Sequence, residues 1–376
     1  MKIIYCIAGT RHSGGMERVL ANKANFLAEC GYDIVIVTTD QCGESSFFPL
    51  NNRIRCIDLN INYEENNGKS IWNKLVHYPI KQIKHKRRLT ALLKKEKPDI
   101  TISMYCNDAE FLPSIHDGSK KILEIHFSRF KRLQYGRKGL WKLADRFRSH
   151  QDASIVKKYD KFVVLTNEDK SYWGNLKNIC VIPNARTFTF SSLTPLDNKE
   201  VIAVGRYCFQ KGFDILIDAW YIVCKKNADW ILRIVGNGEQ HEELQRKINI
   251  YGIGERVILD NSRPNMISIY QKASLFVLSS RYEGLPMVLL EAQSAGLPVV
   301  SFTCKCGPKD LIEDGISGFL VSEGDVIELA NKILRLMEDK KLRESMGKAA
   351  FINSRKYSME HVMQQWIDLF GNLTQK

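Results

Sequence analysis

The sequence predicts an α/β protein made of two Rossmann-like, doubly wound domains facing a central cleft. Three observations lead there. Short β-rich runs alternate with amphipathic segments along the chain. The alternation breaks at a polar stretch over 187–198 and then restarts. The length, 376 residues, suits two cores of ordinary size rather than one.

The elements follow in order. IIYCIAG reads as a strand, residues 16–30 as a helix stopped by Gly31, and DIVIVTTD as the next strand, which together form a β-α-β unit of a parallel sheet. Further strands are expected over 54–58, 99–103, 121–125, 161–165 and 180–182, closing a first domain at 1–184. Then come VIAVG, a helix over 212–226, WILRIVGNG, VILD, LFVLSS, LPVVSF and GFLV, with helices over 325–338 and 340–355 completing a second domain at 185–355. Residues 356–376 are expected to form a last helix placed to cross back onto the first domain.

Composition excludes several classes. With 44% hydrophobic and 26% charged residues, the chain is neither disordered nor fibrous. The first strand is too short, and too soon followed by Gly9, Arg11 and His12, for a signal peptide or membrane span. Ten scattered cysteines, of which the closest pair Cys304 and Cys306 lacks C-x-x-C spacing, point to reduced thiols in the cytoplasm. No G-x-G-x-x-G follows the first strand and no P-loop occurs, which counts against dinucleotide redox chemistry and nucleoside-triphosphate hydrolysis. The net charge of +13 concentrates in the first half: residues 69–97 hold ten Lys or Arg against one acid, and residues 120–158 hold twelve against three. Nucleic acid, anionic lipid and phosphorylated ligands all fit such a surface, but no nucleic-acid-binding signature accompanies it.

In open α/β sheets, ligands bind beyond the carboxyl ends of strands, so chemistry belongs in strand-to-helix turns. SSRYEGLPMVLLEAQSAGLPVV places Glu283 in such a turn, with Pro286 in the first helical turn and Glu291 one to two turns in. Amides around Gly284 and Leu285 at that helix start suit hydroxyls or a phosphate. Alone, either glutamate would more often be a solvated acid. VGRYCFQKGFD puts Arg206 and Lys211 after another strand, where a bidentate guanidinium and a point-charge ammonium can clamp a diphosphate. Two exposed loop cations are the plainer reading of that turn by itself.

Taken together, these motifs resemble the retaining glycosyltransferases of family 4, also called group 1. Glu283 and Glu291 match the E-x7-E doublet, and Arg206 and Lys211 match G-R-x-x-x-x-K-G. Gly14-Gly15-x-Glu17, IVGNGEQ with Gly236 and Gly238, AGLPVV and DGISGFLV add support in the right order. The resemblance implies the two-domain GT-B fold, with acceptor bound by the first domain and a nucleotide sugar by the second. It implies that Arg206 and Lys211 hold the donor diphosphate, Glu283 the sugar hydroxyls and Glu291 the ribose. Gly14, Gly15, Gly236, Gly284 and Leu285 then line the donor, and His126 sits beside the transferred sugar. Asp260-Asn261 and Cys304-Lys305-Cys306-Gly307-Pro308 depart from the family pattern.

The activity implied is transfer of a hexose or N-acetylhexosamine, from a UDP-sugar, to a glycan or lipid-linked acceptor in cell-surface polysaccharide or glycoconjugate biosynthesis. No two aspartates are spaced as D-x-D, so metal-independent catalysis without a cofactor is expected. A cytoplasmic protein, peripheral on the inner face of the plasma membrane, follows from the basic stretch 81–97, where Ile83, Leu89, Leu92 and Leu93 interrupt the charge at helical spacing. Phe127, Phe130, Trp141 and Phe147 among the cations of 120–158 add to it. Partners would be donor, acceptor and an anionic membrane, with no nucleic acid. Two other classes stay open: a non-catalytic sugar-nucleotide-binding or membrane scaffold, and a sugar-nucleotide epimerase. Acceptor-dependent release of nucleotide diphosphate separates them from a transferase.

Overall fold

The computed structural model describes residues 1–66, 71–130, 140–190, 192–263 and 265–375, with side chains for all of these except 66, 71–76, 140–144, 146 and 147. The chain forms two compact units: Met1–Leu165 with Lys170–Ile182 and Met363–Lys376, and Thr166–Asp169 with Pro183–Val362.

The first unit carries a seven-stranded sheet of β1 (Lys2–Cys6), β2 (Asp33–Thr38), β3 (Arg55–Asp58), β4 (Ile100–Ser103), β5 (Lys120–Glu124), β6 (Lys161–Val164) and β7 (Ile179–Val181). Its order is β3-β2-β1-β4-β5-β6-β7, and every pairing is parallel. Parallel strands need crossovers, and helices over both faces make the strands continuous apolar runs rather than alternating ones. Ile3, Ile4 and Tyr5 are accordingly all fully buried. Helix Gly15–Glu29 makes the first crossover, burying Val19, Leu20, Ala24 and Leu27 at helical spacing.

The second unit repeats the plan with β8 (Glu200–Val204), β9 (Ile231–Val235), β10 (Val257–Asp260), β11 (Leu275–Leu278), β12 (Val299–Phe302) and β13 (Gly318–Val321). The order is β10-β9-β8-β11-β12-β13, again wholly parallel. Trp220, Leu216 and Val223 of helix Phe213–Lys226 join Leu232, Ile234, Ile333 and Leu336 in its core. In both sheets the strand order reverses beside the first strand, at β1/β4 and at β8/β11. These are the switch points where neighbouring turns diverge and leave room for a ligand.

One expectation is corrected here. The basic helix is Ile71–Glu96, but Leu89 and Leu93 are fully buried in the core of the first unit, and Leu92 is half-buried against it. Those leucines anchor the helix and do not interrupt a solvent face. Several of its cations are also in use: Lys84 donates to the Asn60 carbonyl at 3.1 Å, and Arg88 donates to the carbonyls of Leu59 and Asn60. They hold a loop in which Asn60 and Asn62 have left-handed backbone, φ 50° and 59°. Of the second basic stretch, residues 131–139 and the side chains of Trp141, Lys142 and Phe147 lie outside the described residues. Among the described residues, no helix is long and apolar enough to cross a membrane.

Candidate active site

The turns after β8 and β11, at the switch point of the second unit, bring the sequence-predicted residues together. Lys211 Nζ donates to Glu283 Oε1 at 2.7 Å, with side-chain exposures of 17% and 7%. Arg206, in the same turn as Lys211, is exposed and makes no hydrogen bond or ion pair among the described residues.

Backbone geometry explains how the turns reach each other. Gly212 has left-handed φ 63°, and a Cβ there would fall 2.2 Å from the Ser279 carbonyl oxygen, so the β8 turn can lie directly on the end of β11. Ser279 Oγ donates to the Lys211 carbonyl at 2.9 Å, the Arg281 amide to the Gln210 carbonyl at 2.8 Å, and Gln210 Nε2 to the Tyr282 carbonyl at 2.9 Å. Arg281 closes the joint with a bidentate pair to Asp214, at 2.9 and 2.6 Å, while its guanidinium lies 4.1 Å from the exposed Phe209 ring. Burial would push the Asp214 carboxyl up, but Arg281 outweighs it and holds the group below its ordinary value.

Glu283 is held from the other side as well. Its amide donates to the Lys305 carbonyl at 3.1 Å, and Tyr282 bridges to Lys305, so the chain after β11 stays paired with the chain after β12. Gly307 permits this approach, since a Cβ would meet Pro286 Cδ at 2.4 Å. The neighbouring Cys304 thiol is kept protonated by burial, reinforced by the Glu283 charge.

Helix Met287–Ser294 starts just beyond Gly284 and Leu285, with Pro286 as the residue before its first turn. Glu291 is only 5% exposed and accepts from Tyr270 Oη at 2.7 Å, so it is not a solvated helix acid. Gly236 sits where β9 ends: a Cβ would lie 1.8 Å from the Gly205 carbonyl oxygen, and at Gly238 one would lie 2.4 Å from that of Tyr207. The loops after β8 and β9 therefore interlock through glycines, tied by the Tyr207 amide to the Asn237 carbonyl at 2.9 Å.

The first unit holds Gly14, Gly15 and His126. A Cβ on Gly14 would fall 2.1 Å from Glu17 Oε2, so that space belongs to the chain's own carboxylate. Gly15 has nothing within 4 Å of such a Cβ and leaves the helix start open. His126, two residues past β5, has Nε2 3.2 Å from Glu124 Oε1.

Two family models match the chain with this geometry. Glycosyl transferases group 1 covers residues 184–352, and Glycosyltransferase Family 4 covers residues 13–186. The chain is a glycosyltransferase of this family. It is 28% identical to the amylovoran biosynthesis glycosyltransferase AmsD of Erwinia amylovora, over 98% of the transferase and 99% of AmsD. It is 27% identical, over 99% of both chains, to a Campylobacter jejuni α-1,4-N-acetyl-D-galactosaminyltransferase that acts on a GalNAc-GalNAc-diNAcBac-PP-undecaprenol. Among solved structures, sucrose-phosphate synthase from Thermosynechococcus elongatus superposes with a TM-score of 0.80 at 18% identity, over 99% of the transferase and 98% of that chain. That likeness shows the fold, the GT-B type with two Rossmann-like units.

Several site residues escaped the sequence reading. Arg281 stands inside the quoted SSRYEG run, yet its partner Asp214 lies 67 positions earlier in the chain and no local spacing announces the pair. Tyr270 and Glu124 were missed for the same reason. Glu124 carried a faint signal, as an acid ending an otherwise apolar strand, KILEI.

Proposed function

We propose that the transferase moves a hexose or N-acetylhexosamine from a UDP-sugar to a glycan or lipid-linked acceptor in cell-surface polysaccharide or glycoconjugate biosynthesis, with retention at the anomeric carbon and without a metal. The observation that carries the reading is the Lys211–Glu283 pair, 2.7 Å apart at a strand switch point, with exposed Arg206 in the same turn. Arg206 and Lys211 neutralise the departing diphosphate. Glu283 accepts from sugar hydroxyls and Glu291 from the ribose, while Gly236, Gly284 and Leu285 let backbone approach the donor. Gly14 and Gly15 let backbone approach a donor phosphate or sugar, and His126 contacts the transferred sugar. Preformed charge at the leaving group stabilises the transition state more than the ground state, because negative charge grows there as the bond breaks. Attack by the acceptor on the face the diphosphate leaves accounts for retention without a covalent intermediate.

The Campylobacter relative, which acts on an undecaprenol-linked glycan, supports a lipid-linked acceptor, and AmsD supports polysaccharide biosynthesis. A lipid acceptor suits a cytoplasmic protein docked on the anionic inner face of the plasma membrane. The face that fits is on helix Ile71–Glu96, where Ile80 and Ile83 are 58% and 71% exposed beside exposed Lys86 and Arg87.

A thermal-shift panel of nucleotide sugars tests the donor. A ligand of the folded state stabilises it by about 2.7 kcal/mol at 100 times its Kd, so the right UDP-sugar stands out. UDP release that needs acceptor and persists with a chelator completes the test. No shift with any nucleotide sugar overturns the reading. Docking is checked by co-sedimentation with anionic and neutral vesicles, comparing the native chain with one carrying Ile80→Ser, Ile83→Ser, Lys86→Ser and Arg87→Ser. Binding that is absent at low salt, or unchanged in the variant, overturns it.

A further inference from the structure

Lys23 on helix Gly15–Glu29 and Glu124 at the end of β5 form a salt bridge with side-chain exposures of only 5% and 1%. The ammonium also lies 3.7 Å from the Trp366 ring and 5.7 Å from the Tyr5 ring. For joining a helix to a strand, such a pair has no advantage, because a packed apolar pair of similar volume is often as stable or more so. The carboxylate has a second neighbour. The Glu124 oxygen that takes the lysine, Oε1, is 3.2 Å from His126 Nε2, and the His126 side chain is 8% exposed. That approach is close but off-axis, which leaves both ring nitrogens and Glu124 Oε2 without an in-line hydrogen-bond partner.

Glu124 is ionised. Burial pushes its carboxyl up, yet the Lys23 ammonium paired with it opposes burial and the carboxyl is held below its ordinary value. Burial pulls the Lys23 ammonium below its ordinary value, opposed by Glu124. The other titratable groups reached by this charge are Tyr5 on β1 and Cys180 on β7, both raised first by burial and therefore neutral near pH 7.

We infer that Glu124 is a positioning residue for sugar transfer: it keeps the His126 hydrogen on Nε2 and so presents Nδ1 as an acceptor to a hydroxyl of the sugar being moved. The inference rests on the placement of His126 in the proposed function. Lys23 completes the device. Its ammonium takes the same Oε1 and fixes the carboxylate beside the ring. Without the Glu124 charge, the two tautomers come closer in energy.

The test uses 15N-labelled full-length protein, read by the imidazole nitrogen resonances, with His126→Gln to assign the signal. Native protein shows the tautomer protonated at Nε2, and Glu124→Gln shows a mixture. Turnover is read as UDP release from whichever of UDP-glucose, UDP-galactose and UDP-N-acetylglucosamine gives the largest thermal shift. Glu124→Gln lowers kcat by about tenfold or more with a donor KM within about threefold of native, since a misdirected Nδ1 matters in transfer more than in binding. Lys23→Met frees the carboxylate and lowers kcat in the same way, and Lys23→Arg returns it. Should a lone charge unfold either single variant, Lys23→Met/Glu124→Gln leaves none unpaired and still shows the tautomer mixture. An unchanged tautomer in Glu124→Gln, with His126→Gln inactive, overturns this inference alone. Native turnover in His126→Gln overturns the placement of His126 and the inference with it.

Discussion

Substituting Lys211 by Met separates what the Lys211–Glu283 pair does for the fold from what it does for transfer. The substitution keeps an unbranched stem, ends one atom short of Nζ, and leaves Glu283, 7% exposed, without its cation. Removing one partner of a buried pair destabilises by about 3–5 kcal/mol, and the 17% exposure of Lys211 puts this site at the lower end, about 3 kcal/mol. For a unit of this size each kcal/mol lowers the midpoint by roughly 2–4 °C, so the transition of the second unit falls by roughly 6–12 °C. Turnover falls independently. A hydrogen bond to a charged group contributes about 1.5–3 kcal/mol, which corresponds to a loss of roughly 10- to 150-fold if it is made to the departing diphosphate. Adding Glu283→Gln removes the unpaired charge, so Lys211→Met/Glu283→Gln recovers most of the lost stability and none of the lost turnover. The assays are calorimetric unfolding and UDP release at saturating donor. A double variant that regains turnover along with stability would show the pair to be structural. Turnover in Lys211→Met within threefold of native would remove the diphosphate clamp.

Three further outcomes are expected. Gly236→Ala drives a methyl group to 1.8 Å from the Gly205 carbonyl oxygen and destabilises the second unit by about 3 kcal/mol or more, read by urea unfolding, whereas Gly15→Ala meets nothing within 4 Å and leaves stability within about 1 kcal/mol. Loss of turnover in Gly15→Ala then reports ligand approach, and a destabilised Gly15→Ala contradicts the open helix start. Tyr270→Phe deletes the hydroxyl 2.7 Å from Glu291 Oε2 and weakens UDP binding by about tenfold in titration calorimetry; native affinity would detach Glu291 from the nucleotide. Asp108 is buried, which pushes its carboxyl up to about 6, above the unfolded value near 3.9. Its contribution to stability is full below about pH 4 and is lost as pH rises through about 6. Asp108→Asn therefore gains on the native protein by up to about 3 kcal/mol from pH 4 to 7, and a pH-independent difference in urea unfolding would refute the assignment.

The sequence by itself determined the elements and the placement of the motifs. Strands over 2–6, 33–38, 200–204 and 275–278, and the helices after the first, third and fourth of them, were legible because apolar periodicity and stop signals are local properties of the chain. Arg206, Lys211, Glu283 and Glu291 were legible as residues of interest because each stands in or just after a strand-end turn. Only the tertiary structure decided what each one meets. Strand order sets β8 beside β11, so Lys211 and Glu283 come together across 72 positions and Arg281 closes on Asp214 across 67. Nothing in the local spacing encodes that order, because it arises from which sheet edges and helix faces bury the most apolar surface together. The same limit misplaced the leucines of helix Ile71–Glu96: periodicity identified an amphipathic helix, but packing alone decided that Leu89 and Leu93 face the core while Ile83 faces water. It also concealed Glu124, whose partners Lys23 and His126 come from another helix and the next turn, joined only where β1 and β5 lie in one sheet.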